Sequence, residues 1–139
     1  MERGSIFSEA ILMVADARAV DLPDATADLV TIGYLLHLLS PVDGAAVLAE
    51  ARRLLRPGGR LVVVVHGSPG GMAGVVYRAG WRALSRLLPR AVVGGGPLAD
   101  LAPKVAAAGL VVEASRRVPG VYWSQVVRAR RPPPPPAQR

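Results

Sequence analysis

Cysteine is absent from the 139 residues, which excludes disulfides, thiolate metal ligands and a cysteine nucleophile. Aromatic residues reach only 4%, six side chains in all, so little is available for stacking on nucleic-acid bases. Charged residues are sparse at 19%, whereas hydrophobic residues make up 51%. That balance belongs to a chain that buries a core and excludes disorder over most of its length. No apolar run approaches the ~20 residues needed to span a bilayer. The opening stretch to Arg18 has acids at Glu2 and Glu9 and only a short apolar segment. A secretory signal is therefore not expected, and cytoplasmic residence is. One domain is expected at this length.

What charge there is lies unevenly. Residues 1–50 hold two bases and eight acids, whereas residues 51–139 hold fifteen bases and two acids, giving −6 and +13. Such asymmetry can mark a nucleic-acid or anionic-membrane partner. Sixteen of the seventeen bases are arginine, however, as a GC-rich coding sequence supplies without selection for binding, and no nucleic-acid motif is present. No nucleic-acid partner is expected.

Residues 1–129 read as the folded domain. Residues 130–139, with five consecutive prolines from Pro132, read as a disordered Arg/Pro-rich tail. Ile11 to Ala15 and Leu29 to Gly33 are short apolar runs suited to buried parallel strands. Ser40-Pro41-Val42-Asp43 opens a helix with a capping serine, a proline in the first turn and an acid near the positive end. Pro57-Gly58-Gly59 closes that helix, and the aliphatic run Leu61 to Val65 follows as a strand expected to be buried on both faces. A glycine-rich segment from Gly67 to Gly74 reads as a hinge before a helix over Val75 to Leu88. A further helix is expected over Pro97 to Ala108, then strands over Leu110 to Ala114 and Val121 to Val127 with a turn at Pro119-Gly120. The fold class expected from this order is α/β with a mostly parallel sheet ending in a C-terminal antiparallel hairpin.

Several stretches in register carry a resemblance. They are Ala15-Asp16-Ala17, Leu22-Pro23, Ala27-Asp28-Leu29-Val30, Thr31 through His37, and Ala108-Gly109-Leu110. To these is added Glu50 with Arg53 and Leu54-Leu55-Arg56-Pro57-Gly58-Gly59-Arg60-Leu61. Together the chain resembles the class I S-adenosylmethionine-dependent methyltransferases, within them the ubiquinone/menaquinone C-methyltransferase type. The resemblance implies a Rossmann-like fold, S-adenosylmethionine as cofactor and a small-molecule acceptor. It implies that Asp16 accepts from the adenine amino group, that the Ala17 N–H donates to the ring, and that the chain at Gly33 and Tyr34 passes the methionine part. An Asx-turn or helix cap is the structural alternative for Asp16, and a strand terminator for Gly33. The family's glycine-rich cofactor loop has no counterpart among the fifteen residues before Asp16, so the fold is expected to be truncated at its N-terminal side and cofactor binding weak or absent.

His37 and His66 both fall just beyond strands, at the rim where α/β sites form, and His66 is the candidate catalytic base. Two histidines without a carboxylate pattern do not suggest a metal site. Arg78, Arg82, Arg86 and Arg90 recur every four residues, which suits either a solvated helix face over a core-facing stripe of Tyr77, Trp81, Leu84 and Leu88, or peripheral contact with an anionic membrane. An unpaired sheet edge at Leu29 to Gly33 suggests a homodimer, unless Ile11 to Ala15 moves in beside it. The rival function is a catalytically silent, methyltransferase-like interaction module.

Overall fold

The computed structural model describes residues 10–89 and 95–137; Glu2, Glu9 and Arg90 lie outside the described residues. Four strands form one sheet in the order β1-β2-β4-β3, with β1 at Ala27–Gly33, β2 at Leu55–His66, β3 at Val111–Val118 and β4 at Ser124–Arg130. β1 pairs β2 in parallel, whereas β2–β4 and β3–β4 are antiparallel. The sheet is thus mixed rather than mostly parallel. The difference comes from two places: the hairpin inserts β4 directly beside β2, and Ile11 to Ala15 supplies no strand. That run forms no strand, with Leu12 99% and Val14 108% exposed, so the expectation of a buried strand there fails. A lone strand gains neither ladder hydrogen bonds nor buried area, and this run has no neighbouring strand to supply either.

β2 is the centre of the sheet. Leu61, Val63 and Val65 are fully buried, while Val62 and Val64 on the opposite face are half-buried. The strand is therefore buried completely on one face only, unlike the expectation from its uniform aliphatic run. Over the buried face lies α1 (Pro41–Leu54), which contributes Val47, Leu48 and Ala51, and α3 (Ala102–Ala107), which contributes Val105. Each of the valines and leucines here, fully removed from water, contributes about 1.5–3 kcal/mol. α2 (Gly71–Leu87) adds no apolar side chain to this core; its buried residue is Gly74.

The capping chemistry at the start of α1 is as the sequence implies. Ser40 Oγ accepts from the Asp43 amide at 3.1 Å and donates to the Asp43 carboxylate at 2.8 Å. The far end of α1 is closed from an unexpected quarter. Arg131 Nη1 donates to the carbonyls of Arg52, Arg53 and Leu55, groups a helix end leaves unpaired, and its backbone exchanges bonds with Gly58 and Gly59. Arg130 is the last residue of β4, so ordered structure continues two residues into the stretch read as tail. α3 is shorter than expected, since Pro97 to Leu101 is committed elsewhere. The buried Gln125 accepts from the Leu101 amide at 2.9 Å and donates to Asp100 at 2.7 Å and Ser115 at 2.9 Å. One polar side chain on β4 thereby fixes the start of α3 and the neighbouring strand.

Candidate functional site

Because β1 and β2 run parallel, Gly33 and His66 come out at the same end of the sheet. That end is where doubly wound folds place their ligands. Two adjoining grooves open there. One, of about 470 Å3, is walled by Asp16, Ala17, Arg18, Leu35, Leu39 and Asp43. The other, of about 260 Å3, is walled by Ala17, Ile32, Gly33, Leu35, Val47 and Glu50. Ala17 and Leu35 belong to both, so the two form one continuous depression over the start of α1 and the end of β1.

Asp16 and Ala17 line one of these grooves, and Ala17 and Gly33 the other. A Cβ on Gly33 would meet nothing within 4 Å, so its lack of a side chain leaves space open. Asp16 also adopts its structural alternative. Its Oδ1 accepts from the Arg18 amide at 2.9 Å, closing an Asx-turn, while the Arg18 guanidinium bonds both oxygens at 2.7–3.1 Å. These bonds hold the Asp16 carboxyl down at about 2. The carboxylate is half-exposed and an ionised carboxylate has about four acceptor positions, so a further donor can still reach it. Arg18 continues to Asp43 at 2.7 Å, tying the Asp16 turn to the α1 cap.

The turn is held from behind by α1. Glu50 is buried and accepts from Arg53 at 2.7 and 2.8 Å and from the Val20 amide at 2.7 Å. Arg53 then donates to the carbonyls of Val20 and Leu22 and to Asp24. The i,i+3 spacing of Glu50 and Arg53 places both on one face of the helix, so a single pair clamps the 20–24 segment. The E-x-x-R signature marks these residues in the sequence, but only the structure shows what they hold. The bonds from Arg53 lower the Glu50 carboxyl to about 2 in spite of burial.

Tyr34 does not wall either groove. It takes the left-handed conformation at φ 52, sends its amide to the Val64 carbonyl at 2.7 Å and places its hydroxyl 3.0 Å from Ser124 Oγ. It meets His37 edge-on and starts an aromatic chain that runs through His37 to His66 and on to Tyr77, Trp81 and Tyr122. His66 is buried, with Trp81 at a centroid distance of 4.8 Å and its Nε2 3.2 Å from the Tyr77 hydroxyl. Burial pushes the His66 imidazole below the ordinary histidine range, against a weaker opposing bond with the Gly95 backbone. Burial, then the neighbouring His66, does the same to His37. The His66 amide donates to His37 Nδ1 at 3.4 Å, so His37 carries its proton on Nε2. Burial thus disfavours the charged form of the ring of His66, the last residue of β2. The ring of aromatic neighbours around His66 was not legible, because Tyr77 and Trp81 come from α2, Tyr122 from the segment before β4 and His37 from the segment after β1.

A model of the methyltransferase domain family matches residues 3–63. The chain is 41% identical over 56 residues to the ubiquinone/menaquinone biosynthesis C-methyltransferase UbiE of Caulobacter sp. (strain K31), covering 40% of this chain and 21% of that protein. To the demethylmenaquinone methyltransferase of Thermus thermophilus it is 39% identical over 82 residues, covering 58% and 35%. The chain thus matches only about a fifth to a third of the length of these curated relatives. In fold it resembles a SAM-dependent methyltransferase from Methanosarcina mazei with a TM-score of 0.70 at 15% identity, covering 88% of this chain and 67% of that one. Residues 3–63 are thus similar in sequence to the methyltransferase domain family, and the fold over most of the chain is similar to that of a SAM-dependent methyltransferase.

Proposed function

We propose that the chain serves S-adenosylmethionine-dependent methyl transfer to a small-molecule acceptor, by itself or as part of a longer enzyme. The observation that carries this reading is the continuous depression beside α1 and the carboxyl end of β1, with Asp16, Ala17 and Gly33 around it. Its walls suit the cofactor in part. Apolar Ile32, Leu35 and Val47 suit a flat ring, Asp16 suits an amino donor, and the open space at Gly33 suits a close backbone approach. The cofactor supplies an electrophilic methyl on a sulfonium, whose bond to sulfur breaks as the bond to the acceptor forms. This chain's part is to orient and to keep water away. Where the acceptor must also lose a proton, we assign the proton to His66: the Tyr77 hydroxyl passes its own proton to His66 Nε2 and takes up the acceptor's. The relatives' names point to quinone-type acceptors, which would suit the apolar walls.

Calorimetric titration with S-adenosylmethionine tests the reading. Without the family's glycine-rich loop, affinity near 1 mM is expected, about −4 kcal/mol. Gly33→Leu, which fills the open space, should abolish the heat, and Asp16→Ala should weaken it several-fold. Micromolar binding would show that these walls suffice without that loop. Silence at several millimolar would favour the interaction module instead.

As a further partner we propose a second copy of the chain along β1. Among the described residues nothing pairs with the outer edge of β1, and Leu29 on it is 56% exposed. Light scattering over a concentration series should show mass rising toward a dimer. A concentration-independent monomer would remove the proposal.

A further inference from the structure

Three arginines of α2, of which Arg82 and Arg86 are exposed, also border a recess. Arg78, Arg82 and Arg86, four residues apart, stand with Trp81 along one wall of a cavity of about 830 Å3, closed opposite by Leu39 and Gly96. A cavity this size falls in the range of small-molecule sites. Among the described residues no carboxylate pairs with any of the three guanidinium groups, although Arg18, Arg53 and Arg56 each have one. Arg78 is oriented by one bond to Ser68 Oγ at 2.8 Å, which leaves most of its five donors uncommitted.

A second observation concerns Trp81. Among the described residues its buried indole N–H has no acceptor, a rare condition for a buried donor and one that a ligand oxygen would relieve. The wall around it is firm. A Cβ on Gly95 would lie 2.1 Å from the His37 carbonyl, so the 95–97 segment is pressed directly against the 37–38 segment. Leu39 walls both this cavity and the groove that holds Asp16, which puts the two spaces side by side. Concavity is what separates this arrangement from a membrane-facing helix, which needs its basic face open and convex.

We propose that this cavity binds the anionic group of the methyl acceptor: a carboxylate or comparable oxyanion on an aromatic body, the anion among Arg78, Arg82 and Arg86 and one oxygen taking the Trp81 N–H. Naming the ligand as the acceptor rests on the methyltransferase reading; the anion site itself does not.

The test uses the full chain and 2-naphthoate, with neutral 2-naphthalenemethanol as comparator. The reporter is the Trp81 indole N–H resonance, identified by its loss in Trp81→Phe. Naphthoate should move it downfield in a saturable manner and bind about tenfold or more tightly than the alcohol. Arg82→Gln with Arg86→Gln should weaken naphthoate about tenfold while Arg82→Lys with Arg86→Lys largely retains it, and a retained amide spectrum shows that each variant is folded. Equal affinity for the acid and the alcohol, or an unmoved indole signal, would overturn the site. A response to phosphatidylglycerol vesicles but not to naphthoate would overturn it in favour of a membrane contact. Naphthoate binding in a chain that ignores S-adenosylmethionine would uphold the anion site and remove only the acceptor's name, so the two readings fail separately.

Discussion

Replacing Glu50 by alanine is expected to destabilise the fold by about 3 kcal/mol, more than its single side chain suggests. Glu50 is only 8% exposed, and its carboxylate accepts from Arg53 twice and from the Val20 amide once. Truncation leaves a half-buried guanidinium without its main partner and a backbone N–H without an acceptor. The loss should spread, because Arg53 holds the carbonyls of Val20 and Leu22 and the carboxylate of Asp24. Urea denaturation should show a lowered midpoint at unchanged slope. Hydrogen exchange should accelerate in residues 18–26 while the amides of β2 keep their order of protection. A midpoint within about 0.5 kcal/mol of the wild type would mean that the clamp is ornamental.

The same pair sets an acid limit. The Glu50 carboxyl is lowered from 4.5 to about 2 in the folded chain, first by its bonds from Arg53. A depressed carboxyl contributes stability that is complete above its unfolded value and is lost as pH falls toward the folded one. The contribution is therefore intact above about pH 5 and disappears between about pH 4.5 and 2. Glu50→Gln should flatten the stability profile across that window.

What was legible in the sequence and what was not divides along physical lines. Ser40-Pro41-x-Asp43 and the aliphatic run Leu61 to Val65 announced α1 and β2 because cap chemistry and β-branching act locally. Asp16, Ala17 and Gly33 were singled out through a resemblance, and they line adjoining grooves. Ile11 to Ala15 misled because periodicity reports what a segment could bury, and not whether a neighbour exists to bury it. Val121 to Ser124 misled in a similar way: Val121 and Tyr122 are apolar, yet β4 starts only at Ser124, and Tyr122 instead turns to the His66 cluster. The arginine stripe was visible by its spacing, but its cavity is completed by Leu39 and Gly96 from two other segments, a juxtaposition no local pattern encodes. The Gly67 to Gly74 stretch read as a loose hinge; in the fold Gly67 packs on Gln125 and Gly74 on Pro69, so these glycines permit close contact.

Two glycines of α2 should therefore respond to alanine with opposite signs. Gly80 lies exposed in the helix interior with nothing within 4 Å of a Cβ, so Gly80→Ala gains helix propensity and should stabilise by about 0.5–1 kcal/mol. Gly74 faces the opposite situation. A Cβ there would sit 2.0 Å from the Pro69 carbonyl oxygen, a backbone atom that cannot rotate out of the way. Gly74→Ala must push the 67–70 segment off the helix and should destabilise by roughly 2–3 kcal/mol, the range of overpacked sites. The displacement has a local address. Ser68 Oγ donates to the Leu98 carbonyl at 3.3 Å and accepts from Arg78, so moving Pro69 disturbs both the 95–98 wall and the guanidinium beside it. Naphthoate affinity should fall in Gly74→Ala and hold in Gly80→Ala. Similar stabilities for the two variants would mean that the loop yields freely at Pro69, and the firmness attributed to the arginine cavity would go with it.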